Sequence, residues 1–374
     1  MGVEKAKILI VNQNWTIYNS LKLNGQFYSR VELLALADLK IKDSNIPDWE
    51  KAIYYFIIEW LDLKEFVSVK TSGSTGKPKN IEIEKDRMVA SAKASNSFFS
   101  LDENKKALLC LSAEYIAGKM MIVRAFVGGF DLHYVEPKSD ALLLINQDFD
   151  FTAVVPLQLE SVFKANAIQS MKRIKKIIVG GAAMRQNLVQ QLENIKTEVW
   201  ATYGMTETLT HIALQRLNGK LKTDYFLGLP NVEFAVDDRS CLRIQAPLVN
   251  LYPVQTNDRV DLLDAKRFRF LGRVDFVINS GGIKYSPELL EQKLALYIEN
   301  NFAFSSKDDE LLGEKLVLVI EGAVYSKEKF KQLNNQIKIV LDRFEQPKEI
   351  LFMTVIPKTS NGKLDRIRLK DLIA

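Results

Sequence analysis

Cysteine and histidine are almost missing from this chain: its 374 residues hold two of each. Cys110 and Cys241 stand far apart with no C-x-x-C spacing. That excludes a disulfide framework and a cysteine zinc site, fits a reducing compartment, and makes both thiols small core residues. His133 and His211 are too few for a three-imidazole metal site. Long apolar runs are also lacking. The two most apolar stretches, 52–61 and 117–130, are broken by Glu59 and by Lys119 and Arg124, so nothing reaches the roughly 18 uninterrupted residues of a membrane span. The start, MGVEKAKILIV, places charge ahead of an apolar run too short for a signal peptide. Charge of one sign is not in excess. Lys and Arg number 51 against 46 Asp and Glu, and the resulting +5 is scattered rather than gathered into the stripe that nucleic acid requires. The expectation is a soluble cytoplasmic protein with no nucleic-acid partner and no membrane span.

What remains is an ordinary globular composition, 47% hydrophobic and 26% charged, long enough for two or three domains at about 150 residues each. Pro47-Asp48 opens a helical pattern to about residue 63. Strand-like runs at 66–70 and 80–83 flank a polar loop. Downstream, apolar runs at 107–111, 152–155, 177–179 and 198–201 alternate with helical patterns at 117–127, 157–167 and 184–192, which predicts a largely parallel sheet covered by helices. From about 208 to 278 the pattern becomes short strands and turns, among them 232–236, 241–245 and 268–271. The last hundred or so residues read as a small α+β unit: a helix after Ser286 as N-cap and Pro287 as first helical residue, a strand at 316–320 and a helix at 327–341. The fold class is therefore α/β, a large N-terminal domain with mixed or parallel sheets covered by helices plus a small α+β C-terminal domain, divided at 1–274 and 275–374.

The loop is Thr71-Ser72-Gly73-Ser74-Thr75-Gly76-Lys77-Pro78-Lys79. Glycines let backbone N–H groups converge, hydroxyls add donors and two lysines add charge, a composition that can wrap polyphosphate. It is not a Walker A loop, which needs Gly in place of Thr71, Ser or Thr in place of Pro78, and a following helix. Further motifs follow in order: Gly180-Gly181-Ala182; Tyr203-Gly204-Met205-Thr206-Glu207-Thr208; Thr256-Asn257-Asp258; Gly272-Arg273-Val274-Asp275 with Gly281-Gly282-Ile283; and Pro357-Lys358-Thr359-Ser360-Asn361-Gly362-Lys363-Leu364-Asp365-Arg366. Each is weak or moderate alone. Together they resemble the adenylate-forming family, the AMP-forming acyl- and aryl-CoA ligases with firefly luciferase and peptide-synthetase adenylation domains. The resemblance covers the last four-fifths of the chain.

That resemblance implies a two-step reaction in which ATP adenylates a carboxylic acid and the thiol of coenzyme A displaces AMP. It assigns Thr71, Ser72, Gly73, Ser74, Thr75, Gly76, Lys77 and Lys79 to the phosphates, Gly181, Ala182 and Tyr203 to adenine, Asp258 and Arg273 to the ribose, and Thr206 to the α-phosphate. Glu207 is the Mg²⁺ ligand, a carboxylate suited to a hard ion that also takes phosphate oxygens. Lys363 is the catalytic lysine, a compact cation on a glycine turn, and Asp275 is the hinge about which the C-terminal domain rotates. The family carries more residues before its phosphate loop, so an N-terminally trimmed fold is expected. It has T-G-D where this chain has Thr256-Asn257-Asp258.

For the acid, the block running from Thr208 to Gly219 is similar to that of family members whose substrate carries a second carboxylate and a keto group. Such a substrate needs polar partners in an apolar pocket, and Gly204, Thr208, Thr210 and His211 are the candidates, with a structural role for His211 equally open. Lys119 and Arg124 either bind coenzyme A phosphates or face solvent. Another aryl or fatty acid, a module serving a carrier protein and an inactive nucleotide-binding homologue stay open, as does the oligomeric state, a homodimer included.

Overall fold

The computed structural model describes residues 14–70, 80–182, 184–359 and 364–374. The short apolar runs become strands largely where the pattern puts them. β1 (Leu21–Leu23) and β2 (Gln26–Tyr28) form one hairpin, and β3 (Phe66–Lys70) and β4 (Asn80–Glu84) another, standing apart from the other strands. Then come β5 (Lys106–Leu109), β6 (Asp131–Tyr134), β7 (Phe149–Val154), β8 (Ile174–Val179) and β9 (Glu198–Gly204), with helices Ile116–Gly128, Pro156–Lys164 and Gln186–Leu192 in the connections. β10 (His211–Arg216), β11 (Phe226–Gly228), β12 (Glu233–Val236), β13 (Cys241–Gln245), β14 (Val254–Asp264) and β15 (Arg267–Arg273) follow with little helix between them.

Thirteen of these strands share one sheet in the order β12-β13-β14-β15-β11-β10-β9-β8-β7-β5-β6-β1-β2. The sheet is mixed, and the parallel part read from the helix–strand alternation is half of it. β1, β6, β5, β7, β8 and β9 run parallel, whereas every pairing from β9 out to β12 is antiparallel. The cause lies in the connections: a parallel pair needs a crossover of roughly a dozen residues or more, and the links from β9 to β15 are all shorter. β9 is thus a switch strand, parallel to β8 on one side and antiparallel to β10 on the other. In open α/β sheets, ligands bind beyond the C-terminal ends of strands at such a reversal.

Helices Lys85–Phe99 and Ile116–Gly128 pack against each other over the sheet. The second is buried nearly all round, from Met120 to Ala125 and including Lys119 and Arg124. Cys110 and Cys241 are free, buried thiols.

The C-terminal strands make a five-stranded sheet: β16 (Ile278–Ser280), β17 (Ile283–Tyr285), β18 (Phe302–Asp309), β19 (Gly313–Glu321) and β20 (Glu349–Met353), with β20 parallel to β19. Alternation along β19 sends Leu316, Leu318 and Ile320 to a face covered by helices Pro287–Leu294 and Lys327–Val340, and Val317 and Val319 to a face covered by helix Arg366–Ile373. With Pro287 as the first helical residue, Ser286 stands at the N-cap position read from the sequence. Its side chain makes no capping bond; the hydroxyl is shared between the Leu271 carbonyl (2.8 Å) and the Glu288 carboxylate (2.9 Å), so it ties this helix start to β15 instead. Among the described residues no helix is long and apolar enough to cross a membrane.

Candidate functional site

Three turns leave the C-terminal ends of β7, β8 and β9 side by side, since Val154 pairs with Val179 and Val179 with Ala201. The turn after β8 holds Gly181 at φ +86° with Ala182 exposed beside it, a backbone shape that a β-carbon disfavours. The turn after β9 is tighter. Gly204 pairs with His211 across the β9–β10 hairpin, and a Cβ on it would lie 2.3 Å from the Thr210 carbonyl oxygen. Between them, Thr206–Thr208 forms a 3-10 turn, and Leu209 adopts φ +66°, ψ −53°, with the Thr210 amide donating to the Thr208 carbonyl at 2.7 Å. This is a γ-turn with positive φ, rare and strained.

The strained turn leaves Thr206 and Glu207 exposed at its tip. Asn250 Nδ2 steadies it by donating to the Glu207 carbonyl at 3.1 Å, and no described residue pairs with the Glu207 carboxylate. Thr208 is wholly buried. Its hydroxyl accepts from the Met205 amide (2.9 Å) and faces the Met205 and Thr210 carbonyls (3.1 and 3.0 Å), so it holds the turn's shape. Thr210, partly buried, turns its hydroxyl toward His211.

Beside β9, the β14–β15 hairpin brings Asp258 opposite Arg273 in register. Asp258 is only 7% exposed. It accepts the Tyr203 hydroxyl at 2.5 Å, and Arg273 Nη1 stands 3.6 Å from its other oxygen. Burial pushes the Asp258 carboxyl above the usual range, with the Tyr203 bond and the Arg273 charge pulling it back. Burial and the neighbouring carboxylate push the Tyr203 phenol up. The Tyr203 ring packs edge-on to Phe268, centroids 5.0 Å apart, and tilted against Phe226. Past β15, Asp275 sits in a 3-10 turn spanning Val274–Phe276, where Arg273 Nη2 donates to it at 2.7 Å and Asn257 Nδ2 at 2.9 Å.

A second cluster lies behind the β9–β10 turn. His211 is buried, with Ser95 Oγ 3.0 Å from Nε2 and Arg124 Nη2 3.4 Å from Nδ1. A guanidinium can only donate, so Nδ1 is the acceptor and Nε2–H donates to Ser95. Burial, reinforced by the Arg124 charge, holds the imidazole well below its ordinary pKa and therefore neutral. Arg124 itself is 2% exposed, and burial lowers it to about 10. Its Nε has no hydrogen-bond partner, nor has the nearby Asn96 Oδ1, and no described carboxylate pairs with it. A partly open pocket of about 20 Å³, room for about one water, lies against His211, Ser91, Ala94, Leu229 and Val232.

Arg124 and Lys119 therefore do not face solvent. Lys119 is committed to Glu59 (2.9 Å) and to the Ser68 carbonyl (2.8 Å). The buried cluster of Arg124, Ser95 and Asn96 was not read from the sequence; the one signal was a lone arginine inside an apolar helical run. The residues of the polar loop, Thr71, Ser72, Gly73, Ser74, Thr75, Gly76, Lys77 and Lys79, lie outside the described residues, as does Lys363. Their flanks are described: β3 and β4 pair antiparallel up to Lys70 and Asn80, and Lys358 bridges Leu364. Among the described residues no group of three or more His, Cys, Asp or Glu could hold a metal by itself. The exposed Glu207 fits a hard ion that completes its shell with phosphate oxygens and water.

Comparison with known proteins gives the family and the fold. The sequence pattern of the AMP-binding enzymes matches residues 69–249. A solved acyl-CoA synthetase (AMP-forming)/AMP-acid ligase II-like protein from Dyadobacter fermentans is 35% identical with a TM-score of 0.61, covering 91% of this chain and 98% of that one. The 2-succinylbenzoate–CoA ligase of Lactococcus lactis is 25% identical over 99% of this chain and 86% of its own length. The o-succinylbenzoate CoA synthetase of Bacillus subtilis, solved with the acyl-adenylate intermediate, shares the fold at a TM-score of 0.73 and 17% identity, covering 97% of this chain and 98% of that one.

Proposed function

Because this chain belongs to the family of AMP-binding enzymes, we propose that it is an AMP-forming acid–thiol ligase whose acid is o-succinylbenzoate. It adenylates that acid with ATP and passes the acyl group to coenzyme A, a step of menaquinone biosynthesis in the cytoplasm. The observation that carries the choice of acid is Arg124: a buried guanidinium with no counter-ion among the described residues, held against the β9–β10 turn through His211. A buried charge left unpaired is costly. o-Succinylbenzoate has two carboxylates. One is activated, and the other supplies the missing negative charge. The names carried by relatives of this chain support the same acid.

In the first step a carboxylate oxygen attacks the α-phosphorus, the bond to the bridging oxygen breaks and pyrophosphate leaves. An anion meets a polyanion, so alignment and charge neutralisation dominate the barrier. The 71–79 loop and Lys77 and Lys79 hold the β- and γ-phosphates, Thr206 donates to the α-phosphate, and Lys363 bridges the incoming carboxylate and the developing charge. Asp258, steadied by Tyr203, accepts from the ribose hydroxyls, and Arg273 reaches the same sugar. Gly181 and Ala182 form the floor against adenine. Mg²⁺ held by Glu207 neutralises phosphate charge when bound. Residues 275–374 rotate about Asp275 to admit the thiol, whose sulfur then attacks the acyl carbon as AMP departs.

A panel of acids tested for pyrophosphate release, with and without coenzyme A, decides the reading. Release that requires o-succinylbenzoate, and thioester that requires coenzyme A as well, is the expected result. Preference for another aryl or fatty acid reassigns the substrate. Release without any thioester points to a carrier-protein module, and no release with any acid overturns the enzyme.

A further inference from the structure

Where the family has glycine in T-G-D, this chain has Asn257, and the structure gives that side chain two partners. Nδ2 donates to Asp275 Oδ1 at 2.9 Å, and Oδ1 accepts from Arg239 Nη1 at 3.4 Å. Arg239 is itself anchored on Asp237 at 2.8 Å. The other oxygen of Asp275, Oδ2, is taken by Arg273 Nη2 at 2.7 Å. Each carboxylate oxygen of Asp275 is thus gripped by a donor on the β14–β15 hairpin of the large sheet. Asp275 stands in the last turn before β16, the first strand of the small sheet. The neighbouring Phe276 ring has the Arg273 guanidinium 5.9 Å away and that of Arg366, from the C-terminal helix, 5.7 Å away. The turn between the two sheets is therefore clasped on the large-sheet side and stacked against the C-terminal helix.

We propose that Asn257 is a positioning residue for the interdomain turn: with Arg273 it clasps Asp275 in the arrangement seen here, and release of that clasp accompanies rotation of the small unit between the two half-reactions. The inference rests on the reading of Asp275 as the hinge. The strength of the contact suits a part that must open in every turnover. Arg273 and Asp275 are 45% and 38% exposed, and contacts between such groups shift an equilibrium only severalfold. A glycine there offers no side-chain donor at all. Asn257 is not at positive φ among the residues so marked, so its retention needs no backbone explanation of the kind that favours glycine or asparagine.

The test compares Asn257→Ala, Asn257→Asp and Asp275→Pro in the full chain. Two rates are read separately: acid-dependent ATP–pyrophosphate exchange, and single-turnover transfer from preformed acyl-adenylate to coenzyme A. The ratio of the two rates is expected to move by about fivefold in Asn257→Ala. It should move further in Asn257→Asp, where a carboxylate faces a carboxylate, with the thermal midpoint of Asn257→Ala nearly unchanged. Asp275→Pro is expected to keep exchange and lose transfer. If Asp275→Pro behaves so but neither Asn257 variant moves the ratio, the clasp is overturned and the hinge stands. If Asp275→Pro lowers both rates equally, the hinge reading itself fails.

Discussion

The two clusters around the β9 terminus are built on opposite electrostatic plans. On one side, Asp258 is buried with its partners in place: the Tyr203 hydroxyl on one oxygen and Arg273 near the other. On the other, Arg124 is buried more deeply and is left with a neutral histidine and an unbonded Nε. The first cluster is complete without a ligand, while the second is short of one negative charge. On the proposed function, the difference separates a part that serves the nucleotide, preformed on a hairpin, from a part that an acid with a second carboxylate would complete. It also implies that removing the two charges has opposite effects on the free protein.

The largest expected effect is on the completed side. Asp258→Asn removes the charge-assisted bond from Tyr203, the ion pair with Arg273 and the proposed bonds to the ribose; the KM for ATP should rise roughly hundredfold and stability should fall by about 1–3 kcal/mol, measured by exchange kinetics and denaturant unfolding. A more stable variant would mean that the Asp258 partners do not compensate its burial. On the incomplete side, Arg124→Met should raise the KM for o-succinylbenzoate by tenfold or more with ATP little affected. Here stability should increase, by about 1–4 kcal/mol, because an unpaired buried ion is replaced by an apolar side chain of similar length. Loss of stability in this variant would make Arg124 a structural residue and erase the contrast.

The smallest effect concerns pH. His211 is held well below its ordinary pKa. Above about pH 6.5 it is neutral in both folded and unfolded chains and contributes no pH dependence. Below that value the unfolded chain takes up a proton that the folded one refuses, so stability falls as pH drops. His211→Asn should flatten the fall between pH 6.5 and 5.5 by about 1 kcal/mol. An unchanged slope in urea unfolding at the two pH values would show that the imidazole is not shielded.

Much of the fold was legible because its signals are local. The alternation of apolar runs with helical patterns reproduced β7, β8, β9 and the helices between them, and the glycine-serine loop falls between two strands that pair as read. Ser286 was read in the right place, at the N-cap before Pro287, but its hydroxyl is drawn away from capping by the nearby Leu271 carbonyl and Glu288 carboxylate. Arg124 was misread because an arginine in an apolar helix has no visible orientation. Only the packing of helix Ile116–Gly128 against helix Lys85–Phe99 turns it toward His211. The strained backbone at Leu209 carries no sequence mark either, since leucine has no preference for positive φ.

By itself the sequence determined the order of elements and the reaction class, and it supplied the proposed nucleotide-side groups, since motif spacing and turn chemistry act over a few neighbouring residues. The tertiary structure alone decided that β9 is a switch strand, that Tyr203 bonds Asp258, that Asn257 grips Asp275, and that one arginine is buried with a neutral histidine and no described carboxylate beside it. Each of these depends on groups tens of residues apart being brought within hydrogen-bond range, and on water being excluded around them, which no local pattern encodes.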